Sequence, residues 1–172
     1  MRSARFYSIP ARVVLATIGA TALLGAISVA PPFSSIAHRL AGATTVRVLL
    51  PRSLPAGDAE RIFAEATAGR DRYEVALAYA PDCHGATVCT YGSLGGRKPP
   101  VAHAGGTKTL VTHGIAGYVT DAACGASCGD ATLTFDRCSA TYTVALKAGR
   151  REDLLAIARQ MLVRANGSLE RC

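Results

Sequence analysis

The residues of this chain whose types and spacing could do chemistry fall from residue 83 onward. Six cysteines stand at Cys83, Cys89, Cys124, Cys128, Cys138 and Cys172, with His84, His103 and His113 among them. Thiols so placed can be metal ligands, redox pairs or structural staples. Structural zinc sites favour cysteine pairs about two to four residues apart, which Cys124 and Cys128 satisfy and Cys83 and Cys89 do not. Thioredoxin-like redox chemistry wants C-x-x-C on a βαβ pattern, and neither is present. The sequence Gly125-Ala126-Ser127-Cys128-Gly129 spells G-x-S-x-G, which in hydrolases seats a nucleophilic serine between a strand and a helix. Here Ala131, Leu133 and Phe135 follow in strand alternation, so a tight turn accounts better for the small residues. Two enzymatic alternatives stand beside the structural one: a hydrolase using Ser127 with His103 or His113 as base, and thiol–disulfide exchange through Cys124 and Cys128. No catalytic residue is assigned from these motifs.

Read as staples, the cysteines carry a geometric demand. Bridged Cα atoms lie about 4.4–6.8 Å apart. Extended chain from Cys124 to Cys128 would span about 13 Å, so the segment must fold back, as Gly125 and Ala126 permit. Proximity pairs Cys83 with Cys89 and Cys124 with Cys128. Elimination leaves Cys138 for Cys172. No metal and no cofactor are expected. Gly92 to Lys98 and Gly106 to Thr109 both lack the phosphate-loop spacing.

The elements that must position these residues read as follows. Thr44 to Leu50 predicts a strand. Gly57 and Asp58 open a predicted short helix that Gly69 ends, with Ile62, Phe63 and Ala66 on one face. Tyr73, Val75, Leu77 and Tyr79 alternate with Arg72, Glu74, Ala76 and Ala78, a half-buried strand. Residues 80–106 carry three prolines and six glycines and read as one long irregular loop. Loops of that length are uncommon in compact domains and are often functional. It bears His84, Tyr91, Arg97, Lys98 and His103, the candidate binding residues. Two hairpins follow, one turning at His113-Gly114 and one at Asp136 to Ser139. A final helix from Arg151 to Ala165 carries an apolar stripe, with Glu152 and Asp153 favourably placed in its first turn.

Composition bounds the rest. The 172 residues carry a formal charge of +7, but Arg2, Arg5, Arg12 and Arg39 lie in a leader that has no acid, so the remainder is only mildly basic. Its basic pairs, Arg97-Lys98 and Arg150-Arg151, are isolated and lack interleaved aromatics, which argues against nucleic acid as a partner. Arg2, Arg5 and Arg12 precede an uncharged run over residues 13–30, the pattern of a signal peptide or an N-terminal membrane anchor. Residues 1–43 are therefore expected to be the leader and 44–172 the domain. Ser28-Val29-Ala30 and Ala41-Gly42-Ala43 are the candidate cleavage points. An even cysteine count behind such a leader predicts disulfides formed outside the cytoplasm.

From Gly114 to about Met161 the chain runs Gly-Ile-Ala-Gly-Tyr, Cys-Gly-Ala-Ser-Cys-Gly, Leu-Thr-Phe, Tyr-Thr-Val-Ala-Leu-Lys and Leu-Leu-Ala-Ile-Ala. This resembles uncharacterised bacterial exported and lipoprotein-type domains, in which such a turn precedes a hairpin and a final helix. The resemblance covers under a third of the chain. It implies an α+β envelope domain and carries no activity. Position 43 is Ala, not the Cys that lipid attachment would need.

The expected fold is α+β: a mainly antiparallel sheet of five or six strands, a C-terminal helix on one face and a leader helix in front. The expected function is a non-enzymatic exported domain, periplasmic or secreted, that binds an envelope protein or small ligand or serves as a sensor or structural module. It would meet the membrane through residues 13–30 if the leader is uncleaved.

Overall fold

A computed structural model of the chain describes residues 28–29, 33–55, 61–103, 105–112, 114–164 and 166–172. Nearly all of the predicted leader run, along with Gly57, Asp58 and His113, lies outside the described residues. The elements are β1 (Ser28–Val29), α1 (Phe33–Ala41), β2 (Leu54–Pro55), β3 (Phe63–Gly69), β4 (Arg72–Ala78), β5 (Thr90–Arg97), β6 (Thr107–Thr112), β7 (Ile115–Thr120), β8 (Asp130–Arg137), β9 (Ala140–Lys147) and α2 (Arg151–Leu162). β1 and β2 form a small antiparallel pair. The other strands make one sheet of seven, in the order β3-β4-β5-β9-β8-β7-β6, every neighbour antiparallel. The architecture is α+β, with seven main strands where five or six were expected.

The order explains the connections. β3 to β5 form one meander and β6 to β9 another, and they join where β9 docks on β5. The link from β5 to β6 must therefore travel from the middle of the sheet to its far edge. It does so as a strap over residues 98–106, laid across one face: Val101 N–H donates to Thr141 Oγ1, and His103 reaches β8.

The other face is the core. Tyr73, Val75 and Leu77 of β4, Leu94 of β5, Tyr142 and Val144 of β9, and Leu133 and Phe135 of β8 all point into it and are buried. α2 covers this face with Leu154, Ile157, Ala158, Met161 and Leu162. Phe33, Ile36 and Leu40 of α1 are buried in the same cluster. Helix α1 falls inside the span read as leader, and it packs its apolar face into the core.

Three sequence expectations change here. Residues 44–50 are not a strand of the sheet. They cross its core face, where tyrosine hydroxyls take the place of a ladder. Tyr73 donates to Leu49 O at 2.9 Å and accepts from Leu49 N–H at 3.1 Å, while Tyr142 donates to Arg47 O at 2.9 Å. Residues 63–69 are the edge strand β3 rather than helix. Ala64 and Ala66 face inward opposite Leu77 and Val75 and pack on the core, while Ala68, opposite Tyr73, is exposed. Alanine suits either period, and α1 packing against β3 needs small side chains there. Finally, residues 90–97 of the supposed loop are the interior strand β5. Its glycines mark close packing: a Cβ on Gly96 would stand 2.7 Å from the Tyr73 ring and 3.0 Å from the Tyr142 ring.

The six cysteines close three disulfides, Cys83–Cys89, Cys124–Cys128 and Cys138–Cys172, and no described cysteine is free. The first staples the β4–β5 hairpin loop. The second folds the β7–β8 connection back on itself, with its Cα atoms 3.9 Å apart. The third ties the tail to the two-residue turn between β8 and β9, where Cys138 and Ser139 both adopt positive φ, at 51° and 57°. That backbone matches the right-handed twist of a tight hairpin but is disfavoured for residues other than glycine.

Candidate ligand groove on the open sheet face

Strand alternation sends the polar residues to the face opposite the core, and the register then aligns them. One row runs Gly69, Arg72, Arg97, Thr141, Asp136 across β3, β4, β5, β9 and β8. The next runs Thr67, Glu74, Gly95, Thr143, Thr134, Tyr118, Lys108 and reaches β6. A third holds Glu65, Ala76, Ser93, Ala145 and Thr132. The strap over residues 98–106 covers the β9–β8–β7 half of these rows and leaves the β3–β4–β5 half open.

In the open half lies a groove of about 800 Å³, within the span of small-molecule sites, about 300–1,000 Å³. Gly95 forms part of its lining between Glu74 and Thr143; having no side chain, it leaves the middle of the row vacant. Arg70, Arg72, Arg97 and Lys98 line the groove with Asp71 and Glu74, and Ser93, Thr141 and Thr143 add hydroxyls. Two further hollows follow seams where α1 meets residues 45–52 and the C-terminal tail, and they gather no comparable set of charges.

The groove's charges are unevenly satisfied. Lys98 Nζ donates to Thr45 O at 3.0 Å, and Asp71 accepts from Thr45 Oγ1 at 3.0 Å, so both brace the segment beneath. Arg72 and Arg97 stand directly opposite each other in register, both exposed. Neither makes an ion pair with a carboxylate among the described residues. Like charges in directly opposed positions are destabilising, by up to about 1 kcal/mol.

Beside the groove the strap carries a second polar cluster. His103 stacks on Tyr118, ring centres 4.3 Å apart. Its Nδ1 lies 2.9 Å from Thr134 Oγ1 and its Nε2 3.0 Å from Asp136 Oδ2. Asp136 Oδ1 accepts from Thr141 Oγ1 at 2.6 Å. A hydroxyl, an imidazole and a carboxylate in line can in principle activate the hydroxyl. Here the backbone around Thr134 is committed to the β7–β8–β9 ladder. The cluster fastens the strap.

The residues predicted to form one binding loop fall in four places. Arg97 and Lys98 line the groove, and His103 pins the strap beside it. His84 lies at the opposite end of the β4–β5 hairpin, exposed in the stapled loop with φ of 44°. Tyr91 faces the core and donates its hydroxyl to Pro55 O. Its burial pushes its pKa up to about 12, with Tyr79 and Asp153 adding to the rise, as for a phenol held protonated within the protein. Arg72, Glu74, Gly95 and Thr143 were not singled out. Alternation placed Arg72 and Glu74 outward, but only the pairing register brings Arg97 and Thr143 alongside. Ser127 is exposed in the Cys124–Cys128 turn, and both ring nitrogens of His103 are engaged elsewhere.

Among the described residues no three His, Cys, Asp or Glu side chains gather to hold a metal ion, and no helix is long and apolar enough to cross a membrane. Fold and bridges define an α+β domain with three disulfides, which is consistent with an exported protein. Compared with protein-family models, curated proteins and solved structures, the chain shows no significant match.

Proposed function

We propose that this chain is an exported, non-enzymatic domain that binds a small ligand in the groove over β4 and β5. The observation that carries the reading is the groove itself: a recess with Gly95 left open, set between hydroxyl groups and Arg72 and Arg97, which have no ion pair among the described residues. The rigid seven-stranded sheet supports it, because a preformed site loses little freedom on binding. The three disulfides favour a periplasmic or secreted location. Retention of residues 13–30 would anchor the domain to the membrane as a sensor ectodomain, and cleavage would release it.

Deleting the predicted loop would remove the interior strand β5, so the groove is better probed by filling it. Ser93→Trp places an indole over the open rows. In a thermal-shift screen of small molecules, compounds that stabilise the native protein are expected to lose that effect in Ser93→Trp. A set of hits that stabilise both proteins equally, or no hits at all, would sink the reading.

A further inference from the structure

The open face holds a charge problem that the chain does not solve by itself. Four cations and two carboxylates line the groove, an excess of two positive charges. Two of those cations, Arg72 and Arg97, are cross-strand partners, which places their Cβ atoms about 4.5–5.5 Å apart. Glu74, one row away on the same face, ion-pairs with neither. Four arginines elsewhere find carboxylates, Arg150 with Asp153, Arg151 with Asp121, and Arg164 and Arg47 with Glu170, while Arg39, Arg52, Arg61 and Arg171 are exposed with no ion pair among the described residues. What sets Arg72 and Arg97 apart is that they stand side by side in one groove, with Arg70 also in its lining.

We infer that the Arg72–Arg97 pair is a binding site for a phosphoryl group, and that the ligand proposed above carries one. The inference rests on the groove reading and narrows it. A single carboxylate would neutralise only one of the two guanidiniums. A phosphoryl group brings about −1.5 to −2 charge and three acceptor oxygens, enough to engage both forks at once. The arginines stand side by side on neighbouring strands, so both can reach one group from the same rim. The body of the ligand would then lie along the vacancy at Gly95, within reach of the Ser93 and Thr143 hydroxyls. Glu74 sits across that row and would favour a hydroxylated body over a second anion. A phosphomonoester of a small polyol and the headgroup of a phospholipid share this chemistry.

The test is amide chemical-shift titration of the intact domain with inorganic phosphate, with sodium acetate as the control anion. Saturable shifts are expected at Arg72, Gly95 and Arg97, and acetate is expected to bind at least about 10-fold more weakly. Arg72→Gln and Arg97→Gln should each weaken phosphate binding by about 10-fold or more, the scale of one charged hydrogen bond. Both positions are exposed, and each variant relieves like-charge repulsion, so neither should lower the melting temperature. Glycerol 1-phosphate and vesicles of phosphatidylglycerol against phosphatidylcholine then separate the sources. Arginine-dependent binding of the soluble ester alone identifies a free metabolite class, and binding of the anionic vesicles identifies a headgroup. Phosphate shifts that are absent, or unchanged in both variants, overturn the inference. If uncharged compounds nevertheless stabilise the native protein but not Ser93→Trp, the groove survives and only its phosphoryl specificity is lost.

Discussion

Three tyrosines do more than fill the core. Tyr73, Tyr91 and Tyr142 rise from three strands and bond the backbone at Leu49, Pro55 and Arg47, supplying partners that residues 45–55 would otherwise lack. Tyr73→Phe leaves the buried N–H and C=O of Leu49 unpaired and is expected to cost about 1–3 kcal/mol in urea unfolding. Burial raises the pKa of all three, to about 12 for Tyr91 and Tyr142, with Arg47 and Arg137 partly opposing the rise at Tyr142. A raised phenol pKa gives stability that is complete below the unfolded value of 10.0 and is lost as pH climbs through the folded value. Alkaline unfolding between those limits should therefore coincide with tyrosinate absorbance and flatten in Tyr91→Phe. Glu170 behaves oppositely. Hydrogen bonding from Arg164, helped by Arg47, lowers its pKa from 4.5 to about 2 despite some desolvation. Its contribution is present above 4.5 and fades as pH falls toward 2. Glu170→Gln should remove that part of the acid dependence in pH-resolved thermal melts.

At the scale of elements, α1 decides where the domain begins. Phe33, Ile36 and Leu40 lie in the main core, so a cut after Ala43 would discard them. Buried apolar side chains of this size contribute about 1.5–3 kcal/mol each. A chain starting at residue 44 is expected to lose on the order of 5 kcal/mol in denaturant titration relative to one that keeps α1. If the protein is exported as proposed, mass spectrometry of its mature form should find an N-terminus at or before Phe33. The same scale accounts for helix α2. Gln160 Oε1 accepts from the backbone N–H groups of Arg52 and Ser53, and Arg159 Nε donates to Val111 O on the edge strand β6. The helix thus ties the incoming segment to the far side of the sheet, well beyond what its apolar stripe alone would specify.

The whole molecule is two meanders joined at β5 and β9 and held at its ends by disulfides. Cys138–Cys172 spans 34 residues of sequence and closes the largest of the three rings. Chain-entropy reasoning assigns it about 4 kcal/mol, against about 2 for each short bridge. Cys138→Ser with Cys172→Ser should therefore lower stability more than loss of either local pair, and the untreated native protein should show no free thiol in a thiol-titration assay. Much of this frame could be read without coordinates. Alternation in β4, β8 and β9, the last hairpin, the stripe of α2 and the neighbour pairing of the cysteines are local properties, set by residue period and short-range geometry. The edge strand β3 was lost because alanines at alternate positions fit a helix as readily. β5 was lost because glycines that admit the Tyr73 and Tyr142 rings look the same, in one dimension, as glycines that break structure. The sequence by itself determined a disulfide-stapled α+β domain with outward polar strand faces. Only the tertiary structure decided that β9 pairs with β5, setting Arg72, Arg97 and Thr141 in one row, because strand register across distant segments is selected by the packing of the whole core face and by no local pattern.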